Sequence, residues 1–405
     1  MGTQYSTATL KSNFKQLQSR MERTSKLPFA RPDLSDGEFE AVKRVMESGW
    51  ITSGPETDAF ETEFAAMIGA PGAAALNSAT AALHLGLVAL GIGPGDVVLV
   101  PALTFTATAE VVSRTGARPV LLDVDRDDYL LSPGAVQCFL EGCKQTAEGP
   151  VCDLGRVRAV ICVHYGGRVC DLDALFALCE RAGIELLQDA AHSFPAKDGP
   201  GYVGRRGPVT AFSFYATKNM TTGEGGMITG DRPDLIERVR RMRLHGIATP
   251  AHRRAGWHYD VVEQGYKYNL SDIASAIGRV QLQRAHSMWE RRKLIHESYQ
   301  RAFSEIPGIR PCPEQSGSAY HLYTLEIDSN RDQFIAAMEE KNIGTGLHFI
   351  PLYRMTYYRE RYGLQPQQFP ACEEIFARIV SLPIYSAMSD EDCMDVIAAV
   401  QAIMA

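Results

Sequence analysis

From Pro28 onward the apolar positions of the chain switch repeatedly between two spacings. Positions three and four apart predict helices over Asp36 to Glu47, Thr57 to Ile68, Thr80 to Leu90 and Leu172 to Ala182, because that spacing gathers apolar side chains on one helical face. Between them lie short, densely apolar runs at Val97 to Val100, Val120 to Val124, Val157 to Val163 and Ile184 to Leu187. Runs of this kind read as strands buried on both faces, and their alternation with helices predicts βαβ units around a mostly parallel sheet. Local punctuation agrees: Ser35 with Glu38 forms a capping box, and Pro94-Gly95-Asp96 reads as a turn into a strand. After Ser271 the pattern becomes one long helix to roughly Phe303. A Pro-containing break follows, then a strand over Tyr320 to Ile327 and helices at Arg331 to Lys341, Ala371 to Arg378 and Asp390 to Met404. The expected architecture is an α/β layer structure over residues 28–290 and a smaller C-terminal α+β domain over 291–405, with residues 1–27 as an N-terminal arm.

Composition narrows the function. At 405 residues, with 45% hydrophobic and 22% charged positions, the chain has ample material for packed cores. Its net charge of -7 and pI near 5.9 offer no basic footprint for a nucleic acid. No run approaches the length of a membrane span, so a membrane partner is not expected. The nine cysteines contain no C-x-x-C pair and read as free thiols of a reducing compartment, hence a cytoplasmic protein. The arm carries five basic residues against the single acid Glu22, with Leu10, Phe14, Leu17 and Met21 at helical spacing. That pattern suits a transit peptide or, more plainly, an arm packed on a partner subunit.

Several signatures fail on context. Gly91-Ile-Gly-Pro-Gly95 follows a helix and precedes a strand, the reverse of a dinucleotide-binding turn, and no phosphate-loop, zincin or nucleophile-elbow motif occurs. The ten histidines are scattered, so no metal site is expected. What remains is a lysine, an acid and a helix start. Lys218 lies five residues after Ser213, in a loop between an apolar run and Gly225-Gly226; an amine there can form a Schiff base with a carbonyl if part of it stays neutral. Asp189 ends an apolar strand, where open sheets present ligand groups, and a carboxylate there can pair with a protonated pyridine nitrogen. The segment Asn77-Ser-Ala-Thr80 opens a helix, and its amides with the Thr80 hydroxyl suit a phosphate. Each has a plainer reading: a surface lysine, a helix cap, and another cap.

Together, in this order, these segments resemble a known family. Ser78-Ala-Thr-Ala81, Pro101 to Thr108, Gln188 to Ser193, Ser213 to Lys218, Gly223-Glu-Gly-Gly226 and Gly265 to Ile273 are similar to the DegT/DnrJ/EryC1/StrS family of pyridoxal-phosphate-dependent sugar aminotransferases. So are Gly49 to Glu56, Ile343 to Phe349 and Ser381 to Tyr385, and the resemblance runs from Pro28 to the C-terminus. It implies a fold type I aminotransferase with pyridoxal 5'-phosphate as cofactor. It makes Lys218 the cofactor-holding lysine, Asp189 the partner of the ring nitrogen, His192 the residue beside the ring oxygen and Phe105 the aromatic on the ring face. Ala79, Thr80 and Ser213 become phosphate ligands, joined by Asn269 from the other subunit of a homodimer with its active site at the interface. Core packing for Phe105 and a helix cap for Asn269 are their plainer readings. His348, with Lys267, is expected near the acceptor, for which a histidine satisfied inside a packed turn is the alternative. The implied reaction takes an amino group from L-glutamate to a nucleotide-linked keto-sugar by a ping-pong route. Segments 265–281 and 344–349 are most similar to the branch that forms UDP-4-amino-4-deoxy-L-arabinose, and dTDP-linked sugars share the pattern. A sugar dehydratase of this fold carries histidine in place of the lysine, and a non-catalytic ligand sensor needs no intact lysine and aspartate.

Overall fold

A computed structural model of the chain describes residues 23–405. The apolar stripe expected at Leu10 to Met21 lies outside the described residues. The end of the arm that is described rests on the C-terminal part of the same chain: Arg23 Nη1 donates to Asp392 Oδ1 at 2.8 Å and to Asp395 Oδ2 at 2.7 Å, and Leu27 bridges to Ile343.

The central sheet runs, edge to edge, through Ala73–Leu76, Gly226–Thr229, Val209–Ser213, Glu185–Asp189, Gly155–Val163, Asp96–Pro101 and Arg118–Leu122. The last five pair in parallel, whereas Gly226–Thr229 is antiparallel to both of its neighbours. Val97, Val98, Leu99 and Val100 have no exposed surface, as the continuous apolar run predicts for a strand covered by helices on both faces. A polar hairpin, Lys144–Thr146 with Gly149–Cys152, extends Gly155–Val163 and gave no apolar signal in the sequence.

Helices form largely where expected. Ser35 and Glu38 make the capping box of Asp36–Ser48. Helix Pro55–Ile68 has glycine at its cap position, and its N-terminus is satisfied from elsewhere: Asp272 accepts from Gly54 N at 2.7 Å and from Thr57 N at 3.0 Å. Asp272 is the first residue of the 32-residue helix Asp272–Phe303, so the long helix anchors the short one. Helices Ala107–Arg114, Pro133–Glu141 and Pro233–Met242 were not expected.

The core falls into two large clusters, one around the sheet and one around the strands Tyr323–Ile327 and Ile379–Leu382 with Ile295, Tyr299 and Phe303 of the long helix. The strand expected from Tyr320 begins at Tyr323. Its first residues are diverted: His321 N and Leu322 N donate to Gly166 O at 3.1 Å and Ala319 N to Gly167 O at 2.9 Å, which ties this segment to the end of the central sheet.

Candidate active site

Asp189 is the last residue of a mid-sheet strand, and its side chain enters a cavity of about 400 Å³ at that end of the sheet. Ala191 N donates to Oδ1 at 3.1 Å and Thr108 Oγ1 to Oδ2 at 2.8 Å. Burial raises the carboxyl above its ordinary range, against the pull of these two bonds and of Lys218. The bond from Ala191 is the local cap the sequence allowed; the bond from Thr108 and the opening into the cavity go beyond it.

The neighbouring parallel strand, in register Ala211 with Asp189, leads through Ser213 into the loop that carries Lys218. That loop is closed on itself by Phe214 N to Gly225 O at 2.9 Å and Lys218 N to Tyr215 O at 2.9 Å. Lys218 is half-buried and lines the cavity. Burial lowers its amine to about 8, with the Asp189 charge opposing. At pH 7 about a tenth of such an amine is neutral, against well under a thousandth at the ordinary value. Lys218 is therefore no surface lysine, and its surroundings supply the neutral fraction that nucleophilic attack on a carbonyl requires.

The cavity lining also includes a helix start suited to an anion. Helix Ala79–Ala89 starts there, with Ser78 Oγ accepting from Ala81 N at 3.1 Å and no acidic residue in the first turn. The leading amides of a helix have no intrahelical partner and point outward. Thr80 and Ser213 add hydroxyl-bearing residues to the lining of the same cavity. Gly226 makes the approach possible, since a β-carbon there would stand 2.3 Å from the Ser78 carbonyl carbon and 2.5 Å from Ala79 N.

His192 is buried, and Gly166 N donates to its Nδ1 at 3.3 Å. That bond engages the lone pair of the uncharged ring, and burial likewise holds the imidazole neutral, well below its ordinary range. Phe105 is 57% exposed and lines the cavity, its ring 5.9 Å from that of Phe349, so core packing is not its role. His348 is half-buried, its Nδ1 2.9 Å from Ser381 Oγ and its ring stacked on Phe29 at 5.1 Å. Burial, then the Lys218 charge, lowers this histidine to about 4.

The cavity thus gathers Ala79, Thr80, Phe105, Asp189, His192, Ser213, Lys218 and His348. It does not gather Asn269 and Lys267. Asn269 Nδ2 donates to Ser53 Oγ at 2.6 Å, Lys267 Nζ donates to Asn269 Oδ1 at 2.6 Å, and Asn269 lines a second cavity of about 230 Å³. Asn269 does not cap the long helix; Ser271 does, accepting from Ala274 N at 3.2 Å. Sequence reasoning missed Thr108 and Phe349, although both lie inside recognised segments, and also Phe29 and His321, which join the lining from distant parts of the chain. The structure also draws together Cys162, His164 and Cys170, with possible ligand atoms within 4.8 Å of one another. Both ring nitrogens of His164 are engaged there, Nδ1 by Cys170 N at 3.2 Å and Nε2 facing Gln188 Oε1 at 3.2 Å.

A helix N-terminus with two nearby hydroxyls, a buried carboxylate and a partly neutral lysine around one cavity fit pyridoxal phosphate, which presents a phosphate, a ring nitrogen and an aldehyde. Comparison with known proteins agrees. At 41% identity over 95% of this chain and 98% of the relative, it is similar to the spore coat polysaccharide biosynthesis protein SpsC of Bacillus subtilis. The PLP form of the putative sugar aminotransferase Spr1654 of Streptococcus pneumoniae superposes with a TM-score of 0.84 at 30% identity, over 94% of this chain and all of that one. Aminotransferase TlmJ of Streptoalloteichus hindustanus gives 0.83 at 31% identity, over 94% and 98%. The model of the DegT/DnrJ/EryC1/StrS aminotransferase family matches residues 32–401, and the chain belongs to that family.

Proposed function

We propose that this protein transfers an amino group from L-glutamate to a nucleotide-linked 4-keto-sugar by a ping-pong mechanism. Its cofactor is pyridoxal phosphate and its activity is amino transfer to a sugar. The observation that carries the reading is the convergence of Lys218, Asp189 and the Ala79 helix start on one cavity.

When bound, the cofactor supplies an aldehyde for amine exchange and an electron sink for the carbanion formed at the donor. Ala79, Thr80 and Ser213 would hold its phosphate, and Phe105 would cover its ring. Asp189 would keep the ring nitrogen protonated, the role for which a buried carboxylate without a full cationic partner is suited. Lys218 would anchor the aldehyde; once displaced by the donor, its amine would take the proton from the donor α carbon as general base and deliver it to the cofactor carbon that bore the aldehyde. In the second half it would take a proton from that carbon and deliver it, as general acid, to the sugar carbon that receives the amine. An amine near 8 can exchange its proton in both directions at neutral pH.

Asn269 faces away from its own cavity, which supports a homodimer in which it serves the partner's phosphate. We place the cofactor-binding domain at residues 28–290, the smaller domain at 291–405 and the arm at 1–27. Lys267 and His348 are proposed for the acceptor, UDP- or dTDP-linked. Among the described residues no helix is long and apolar enough to cross a membrane. The nine cysteines are free, which supports a cytoplasmic setting.

The test is spectroscopic. Protein loaded with pyridoxal phosphate should show a near-ultraviolet to visible band that shifts on adding L-glutamate and returns on adding the right member of a panel of UDP- and dTDP-linked 4-keto-sugars. A loaded protein whose band ignores every amino donor overturns the proposal and leaves a ligand sensor.

A further inference from the structure

His321 lines the cavity next to His192 without belonging to any of the motifs above. It is fixed from several directions. Its backbone N donates to Gly166 O at 3.1 Å, its carbonyl accepts from the buried Arg292 Nη1 at 3.3 Å, and its ring lies 4.3 Å from that of His192. Its Nδ1 is 3.0 Å from Asn219 Oδ1. Asn219 leaves no doubt about the direction of that bond, because its Nδ2 is occupied in donating to Ala319 O at 2.7 Å and Phe194 O at 3.0 Å. The proton of His321 is therefore on Nδ1. In an uncharged imidazole with Nδ1–H, Nε2 carries an in-plane lone pair and no proton. The rings of His192 and His321 lie 4.3 Å apart with their planes inclined by 39°, and the hydrogen bond of His192 is made through its Nδ1 to Gly166 N.

We infer that His321 is a specificity-determining residue whose bare Nε2 accepts a hydrogen bond from a hydroxyl of the sugar acceptor. The inference rests on the proposed function and adds the residue that tells the two substrates of one cavity apart. Carboxylates of an amino-acid donor bring only lone pairs to Nε2 and gain nothing there, whereas a sugar hydroxyl brings the proton it lacks. The placement fits. The groups proposed to hold the cofactor, Ala79, Thr80, Asp189, Ser213 and Lys218, line the same cavity as His321, Leu322, His348 and Ile384, which come from the later part of the chain. Burial, together with the charges of Lys218 and Arg292, keeps the ring from taking a second proton.

Two variants of the cofactor-loaded enzyme separate this role from a packing role. In His321→Asn the shorter amide keeps a donor for Asn219 and removes the acceptor facing the cavity; in His321→Gln an amide oxygen remains near the position of Nε2. His321→Asn should raise KM for dTDP-4-keto-6-deoxyglucose or the UDP-linked 4-keto-pentose about three- to tenfold, the loss of one neutral hydrogen bond. Conversion of the band by L-glutamate, and KM for 2-oxoglutarate as a hydroxyl-free acceptor, should stay within about twofold. His321→Gln should fall between His321→Asn and wild type. Unchanged sugar KM in His321→Asn, or equal impairment with sugar and 2-oxoglutarate in both variants, overturns the role of His321. A wild-type enzyme that gives no response to glutamate fails one step earlier, and refutes the proposed function itself.

Discussion

Thr108 Oγ1 donates to Asp189 Oδ2 across 2.8 Å, and Thr104 Oγ1 stands 2.8 Å from Thr108 Oγ1. Because Thr108 has one proton and spends it on the carboxylate, Thr104 donates to Thr108, and the chain of hydroxyls runs into the acid. The bond holds the Asp189 pKa down while burial pushes it up. Thr108→Val removes the donor, so the carboxyl should rise further and the anion that partners the ring nitrogen should be lost at a higher pH. The expected result is a rate about tenfold lower at pH 7, from roughly 1–2 kcal/mol of lost stabilisation. The acid limb of the rate profile should move upward in pH, and Thr108→Ser should restore both. An unmoved acid limb in Thr108→Val would detach the pair from catalysis.

How far the sequence reveals this site depends on the distance over which each part is assembled. Asp189, Lys218 and Thr80 stand at strand ends or a helix start within short polar segments, so a local pattern exposes them. Phe105 is set apart from the core by its exposure, which a sequence does not carry. Phe29 and His321 arrive from segments joined only by the fold, and no periodicity marks them. His321 was read as part of a strand, yet its backbone N–H is spent on Gly166 O. The helix Ala107–Arg114 escaped notice because it begins inside a segment read for its chemistry. Its cap residue, Thr106, makes no side-chain capping bond that would have announced it.

Lys218 carries a stability signature of its own. Burial lowers its pKa to about 8, whereas the unfolded chain binds that proton up to about 10.4. The unfolded state therefore holds more protons between these values, and folding stability should rise with pH across that window. Below about 8 both states are protonated and the full cost of the buried charge remains. In cofactor-free protein, Lys218→Met should thus be more stable than wild type at pH 7, by about 1–3 kcal/mol, with the gap closing toward pH 10. The same variant should have no transaminase turnover. Thermal melts across pH check the first statement; a gap that widens with pH would contradict it.

Burial lowers His348 to about 4, so at neutral pH the contact proposed for it with the acceptor is that of an uncharged ring. A cationic contact with a diphosphate would contribute roughly 1.5–3 kcal/mol, and a neutral hydrogen bond contributes about 1 kcal/mol. His348→Ala should accordingly raise KM for the nucleotide-sugar only about three- to tenfold, and the effect should be flat between pH 6 and 8. Because glutamate lacks the nucleotide, conversion of the bound cofactor by glutamate should barely change. Stopped-flow measurement of the two half-reactions separates these outcomes, and equal losses in both would move His348 into the shared cofactor site or the fold.

Asn269 provides the sharpest test of the assembly. Its backbone bridges to Leu76, and Asn77 N donates to Tyr268 O at 2.8 Å, so it borders the strand that leads into the helix start of its own cavity. Its side chain nevertheless turns the other way, bonded to Ser53 and Lys267 beside the second cavity. In the proposed homodimer, an asparagine so placed would serve the partner subunit's phosphate. Lys218→Ala and Asn269→Ala should each be inactive or nearly so as pure proteins. Mixed under conditions of subunit exchange, they form dimers in which one site combines the intact Lys218 of one chain with the intact Asn269 of the other. In a two-fold dimer with random exchange at equal amounts, about a quarter of all sites regain both residues, so activity should recover to about a quarter of wild type. Mass measurement of differently tagged chains establishes that exchange has occurred. Exchange without recovery would mean that each chain completes its own site, and that Asn269 acts only within the fold that carries it.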